Sequence, residues 1–148
     1  MQKNTYLISA AVCCFAAAAA HIAIVIGGPD WYRFFGAGEE MAQMAARGEV
    51  YPIVVTLMIA AVLAIWGLYA LSGAGVVRRL PLLKLALVVI AFIFCARGSV
   101  GILMPFVSSD PYVIAVGTTF WIVSSIICLV IGGLYVVGAR KSWAYLNK

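Results

Sequence analysis

Residues 51–73 read YPIVVTLMIAAVLAIWGLYALSG, 23 consecutive residues without a charge. At about 1.5 Å of rise per residue, such a helix is about 35 Å long and crosses the roughly 30 Å hydrocarbon layer of a bilayer. Helices of globular cores average about 10–14 residues. The run therefore predicts a transmembrane span. Pro52 falls in its first turn, where a missing N–H leaves no hydrogen bond unmade.

Working outward, three further runs of the same kind lie at about 5–27, 82–106 and 112–138. Pro81 and Pro111 mark predicted helix starts, and Pro29 and Pro105 fall at or near helix ends. Ser108-Ser109-Asp110-Pro111 reads as a cap followed by a first-turn proline. The predicted fold is an all-α membrane protein. It is a four-helix transmembrane bundle forming a single domain over 1–148, with one long loop at 28–50. The first run has features of a signal peptide: Lys3, an apolar stretch and the small residues Ala16–Ala20. Val12 before Cys13, and Cys14 after it, do not fit a lipobox, and the run is read as a retained first helix.

Composition agrees. The chain has 148 residues, 66% hydrophobic and 10% charged, with a mean hydropathy of +1.11. Soluble domains are roughly 25% charged. An ordinary cytosolic enzyme, a disordered chain and a disulfide scaffold are excluded. Cys13, Cys14, Cys95 and Cys128 form no CxxC and lie inside apolar runs, as small buried hydrophobes do. The net charge of +5 does not make a nucleic-acid surface, because the basic residues sit at helix ends without interleaved aromatics.

Charge placement predicts orientation. With a cytoplasmic N-terminus, Lys3, Arg78, Arg79, Lys84, Arg140, Lys141 and Lys148 face inward. Only Arg33 and Arg47 face outward, and Arg97 lies within the membrane. All five acids, Asp30, Glu39, Glu40, Glu49 and Asp110, fall outside. This is the positive-inside pattern, with both termini cytoplasmic. The long outer loop opens with Asp30-Trp31-Tyr32-Arg33-Phe34-Phe35, aromatics suited to the headgroup region. After Gly36-Ala37-Gly38, the segment Glu39–Arg47 reads as a short amphipathic helix, with Met41, Met44 and Ala45 on one face.

The deepest ionisable groups are His21 and Arg97, roughly 9–14 Å below the outer boundary. At matching depth the other spans offer Thr56, and Thr118, Thr119 and Trp121; Ser99 lies just above Arg97. Each span thus supplies polar groups to one layer beneath the long loop. A membrane arginine usually faces a bundle interior or a watery cavity and has a partner. The nearest acids are Glu39 and Glu40, so an Arg97 pair with one of them is expected, with His21, Trp31 and Tyr51 completing a vestibule. The competing reading is that Arg97 snorkels to the outer headgroups.

The residues lean away from an enzyme, the adjacent carboxylates Glu39 and Glu40 being weak evidence for one because neighbours on a helix point about 100° apart. One histidine cannot supply bis-histidine haem ligation. No His/Cys/carboxylate cluster has metal spacing, and GxSxG, HExxH, P-loop and dinucleotide motifs are missing. No cofactor is expected.

Two stretches carry a resemblance. They are Trp31-Tyr32-Arg33-Phe34-Phe35-Gly36-Ala37-Gly38-Glu39-Glu40-Met41-Ala42, and Tyr69-Ala70-Leu71-Ser72-Gly73-Ala74-Gly75 leading to Arg79-Leu80-Pro81-Leu82-Leu83. The chain resembles a group of small four-span bacterial inner-membrane proteins, and the resemblance implies that location. The group has no established activity, so no residue role carries over.

The reading favoured by the residues is a non-enzymatic module. It binds a lipid, a small amphipathic ligand or a membrane partner in an outer-leaflet vestibule at Arg97. One alternative is a small dimeric transporter or channel using His21, Arg97 and Glu40. The other is an accessory subunit of a larger membrane complex. Abundant small residues permit close helix approach within one chain or between copies.

Overall fold

The computed structural model describes residues 4–146, so Lys3 and Lys148 of the charge asymmetry lie outside the described residues. Eight helices follow one another in these residues, and no strand occurs among them. They are α1 (Thr5–Gly27), α2 (Pro29–Phe34), α3 (Glu39–Ala46), α4 (Val50–Gly73), α5 (Leu83–Val107), α6 (Pro111–Val116), α7 (Thr118–Lys141) and α8 (Trp143–Leu146). The helices α1, α4, α5 and α7 are each long and apolar enough to cross a membrane. Between 22% and 33% of the most apolar window of each is buried inside the molecule, and the rest is half-buried or exposed.

The four long helices form two tight pairs, α1 with α4 and α5 with α7. Contacts of α1 with α7, and a lesser seam between α4 and α5, join the pairs. At the end of the bundle that bears both described chain ends, Asn4 fastens α1 to α7. Its Oδ1 caps α1 by accepting from the Leu7 N–H at 3.3 Å. Its Nδ2 donates to the Gly138 carbonyl and the Ser142 hydroxyl, each at 2.7 Å. Leu7 beside it is fully buried.

At mid-depth an aromatic cluster gathers all four long helices. The Tyr135 hydroxyl of α7 donates to the Trp66 carbonyl of α4 at 2.8 Å. It then has lone pairs left to accept the Cys14 thiol of α1, 3.4 Å away. The Phe94 ring of α5 stacks on Tyr135 at 6.1 Å and meets Trp66 edge-on at 5.2 Å. A polar hydroxyl is thereby satisfied inside an apolar core, where an unmade bond is costly.

The apolar run at 112–138 does not form one helix. It divides at Gly117, whose φ of +86° lies where side chains with a Cβ are strained. The short α6 is capped by Asp110, whose carboxylate accepts from the Tyr112 N–H at 2.8 Å. The helices α2, α3 and α6 together form a cap across the opposite end of the bundle, continuous with the ends of the long helices.

Candidate functional site

Arg97 stands ten residues before the end of α5, so its Cα lies about 15 Å below the cap end of that helix. Its side chain runs toward that end, across Gly101 one turn further on. A Cβ at Gly101 would collide with the Arg97 guanidinium and the Ser125 hydroxyl, so glycine there makes the passage. Arg97 Nη1 donates to Ser125 Oγ of α7 at a long 3.4 Å. The guanidinium also lies over the Trp121 ring, 5.0 Å from its centroid. Ser125 and Trp121 are four residues apart and share one face of α7. The Ser125 side chain is fully buried, whereas Arg97 is exposed.

Trp121 holds a second donor. Its Nε1–H is buried and has no hydrogen-bond partner among the described residues. Buried polar groups are nearly always bonded, so this unbonded donor stands out among the described residues. Tyr112 of α6 meets Trp121 edge-on at 6.4 Å, and its hydroxyl donates to the Gly36 carbonyl in the α2–α3 turn at 2.9 Å. Tyr112 also walls a cleft of about 500 Å³ that Arg33, Glu39 and Glu40 line. One side chain therefore separates the Arg97 cluster from the cap cleft.

The expected pair of Arg97 with Glu39 is not formed. Arg33, six residues before Glu39, takes both oxygens of its carboxylate: Nε to Oε2 at 2.8 Å and Nη2 to Oε1 at 2.9 Å. Arg33 Nη1 binds Asp30 at 2.9 Å, and Gln43 donates to Glu39 at 3.2 Å. The Arg33 bonds, and then that of Gln43, hold the Glu39 carboxyl below its ordinary pKa. The same carboxylate pushes Arg33 further up. Local chain geometry favours this partner, because the 35–38 turn folds α3 back on α2. Among the described residues neither Arg97 nor Glu40 makes an ion pair.

The remaining layer residues do not converge on Arg97. The half-buried His21 donates its Nδ1–H to the Ala17 carbonyl of its own helix at 2.8 Å. Thr56 is buried and donates to the Tyr32 hydroxyl at 3.2 Å. That bond pins the cap to α4. Tyr32 itself is 1% exposed, and is not the interfacial ring its neighbours suggest. Trp31 packs against Phe35 at 5.8 Å. Tyr51, Ser99, Thr118 and Thr119 are exposed, and no hydrogen bond among the described residues links them to Arg97. Of the expected layer, the structure brings together Arg97 and Trp121. It adds Ser125, whose sequence signal was a hydroxyl inside an apolar run one turn from Trp121.

Among the described residues no three His, Cys, Asp or Glu side chains group as metal ligands. The chemistry on offer is recognition of negative charge by a guanidinium and an indole N–H. No family model, no curated protein and no solved structure matches this chain.

Proposed function

We propose that this small integral membrane protein is a non-enzymatic module that binds an anionic amphiphile in the outer leaflet of a bacterial inner membrane. An oxygen of the headgroup sits on the Arg97 guanidinium and accepts the Trp121 N–H, which is buried in the unliganded chain and turns to meet it. Its chains lie along the exposed apolar faces of α5 and α7. In this reading both termini are cytoplasmic, and the cap of α2, α3 and α6 lies at the outer headgroups.

The observation that carries the reading is the exposed Arg97, with no acidic partner among the described residues, beside a buried and unbonded indole N–H. A full positive charge at that depth is costly unless it snorkels to the headgroups or finds a counter-charge. A lipid-like anion supplies one from the bilayer itself. Transport gains no comparable support, since no hydrogen bond or ion pair among the described residues links His21, Arg97 and Glu40.

Native mass spectrometry from mild detergent tests the reading. Wild type carries a discrete adduct at Arg97, and Arg97→Ala carries one adduct fewer while remaining folded. Trp121→Phe keeps the ring but removes one hydrogen bond, and binds about fivefold more weakly. A bare wild type, or an adduct number unchanged in Arg97→Ala, sinks the proposal.

A further inference from the structure

The opposite end of the bundle presents a different site. There residues 79–82 and the first turns of α5 line an open surface trough of about 790 Å³. Arg79 and Lys84 stand at its rim, and Leu82, Leu85 and Val88 run down its wall. These three apolar side chains are 75%, 59% and 46% exposed, and they descend α5 toward mid-membrane. Cations at the mouth and an apolar wall below reproduce the profile of a phospholipid, headgroup above acyl chain.

The rim is built. Arg79 Nη2 donates to the Leu146 carbonyl of α8 at 2.9 Å, which anchors the guanidinium at the mouth. Lys84 Nζ lies 4.1 Å over the Trp143 ring, also on α8. Trp143 is 41% exposed, as an indole at a membrane interface would be. The α8 turn thus positions both cations.

Among the described residues, the charged side chains at this end are basic. Arg78, Arg140 and Lys141 share this end with Arg79 and Lys84. All five acidic side chains lie elsewhere: Asp30, Glu39, Glu40, Glu49 and Asp110 belong to the cap and the helix starts beside it. Such a field attracts anionic lipid headgroups.

We infer that this trough is a binding site for one phospholipid with a net-negative headgroup. Its phosphate sits between Arg79 and Lys84, and an acyl chain lies over Leu85 and Val88. The site is separate from Arg97 and does not depend on the function proposed above. A free anion would use the two cations but gain nothing from the leucine wall, which favours the lipid as occupant.

The test uses the full chain in mild detergent, titrated with phosphatidylglycerol or phosphatidylcholine and read by native mass spectrometry. Wild type retains phosphatidylglycerol in preference to phosphatidylcholine. Arg79→Gln with Lys84→Gln lowers that preference roughly twentyfold, about fivefold for each surface charge removed. Leu85→Glu leaves both cations in place and sets a carboxylate in the trough, and it also lowers the preference. If the double variant loses its helical circular dichroism, Leu85→Glu decides alone, because Leu85 is exposed in the folded chain. Arg97→Ala keeps the preference, and loss of it there would move the selective lipid to Arg97 and overturn the assignment. Inorganic phosphate does not displace the adduct; displacement would show a site for bare anions and overturn it too. Equal retention of the two lipids by wild type, or wild-type preference in both trough variants, likewise refutes it.

Discussion

The Arg97 guanidinium rests 5.0 Å over the ring of Trp121, a cation held on an aromatic face between two transmembrane helices. The ring's negative face partly offsets the missing carboxylate, an attraction of about 0.5–2 kcal/mol depending on desolvation. Trp121→Leu should lower stability by about that amount, and Trp121→Phe by less. In an Arg97→Met background the cost of losing the quadrupole should vanish, leaving only the lost packing. Unfolding in mixed micelles, run as a double-mutant cycle, measures the difference. A Trp121→Leu cost unchanged by Arg97→Met would mean that the ring only packs.

The passage over Gly101 makes a second prediction. A methyl there meets both the Arg97 guanidinium and the Ser125 hydroxyl. Gly101→Ala should destabilise the α5–α7 seam by about 1–3 kcal/mol, in the range of an overpacked core. Arg97→Ala removes one of the two colliding groups, so the double variant should recover part of the loss. Strict additivity of the two changes would show that Arg97 does not lie across Gly101.

Parts of this arrangement are plain in the sequence and parts are not. Hydropathy locates four spans because each crossing must keep its backbone bonded inside an apolar run, and the first run, 5–27, coincides with α1. The same signal is blind to the break at Gly117, since a glycine within an apolar stretch changes hydropathy little while its backbone turns. Depth along the spans picks out His21 and Arg97, with Thr56, Thr118, Thr119 and Trp121 at matching depth, but depth alone does not say that only Trp121 of these meets Arg97. It misassigns the partner of Glu39, which is decided by a competing arginine six residues away and not by depth. The burial of Tyr32 is hidden as well, because successive side chains of the α2 helix point about 100° apart, which turns Tyr32 inward while Trp31 and Arg33 stay exposed.

The Arg33–Glu39 pair predicts how the cap responds to acid. Glu39 is held below its ordinary pKa by Arg33 and Gln43. A group with a lowered folded pKa contributes stability above its unfolded pKa and loses it as pH falls through the folded value. The pair should therefore hold at neutral pH, and release only below the ordinary carboxylate range. A carbon-13 NMR titration of the Glu39 carboxyl should give a midpoint under that of a free glutamate. Arg33→Gln should raise the midpoint toward the ordinary value. A midpoint indifferent to Arg33→Gln would rule the pair out in solution.

The Tyr135 hydroxyl makes the last and most central prediction. It is the one polar group that touches both the Trp66 carbonyl and the Cys14 thiol, so α1, α4 and α7 meet on a single oxygen. Tyr135→Phe preserves the ring and its stacking on Phe94, and strips only that oxygen. The Trp66 carbonyl retains its helical bond, while the Cys14 thiol, a weak donor, loses its acceptor. The expected loss is about 0.6–2 kcal/mol, the range for interhelical hydrogen bonds in lipid. Cys14→Ala should lose less, and the two changes should be non-additive, because both remove the same thiol–hydroxyl contact. Unfolding of the four variants in mixed micelles measures the coupling. Zero coupling, with Tyr135→Phe as stable as wild type, would show that shape alone joins the two helix pairs at mid-depth.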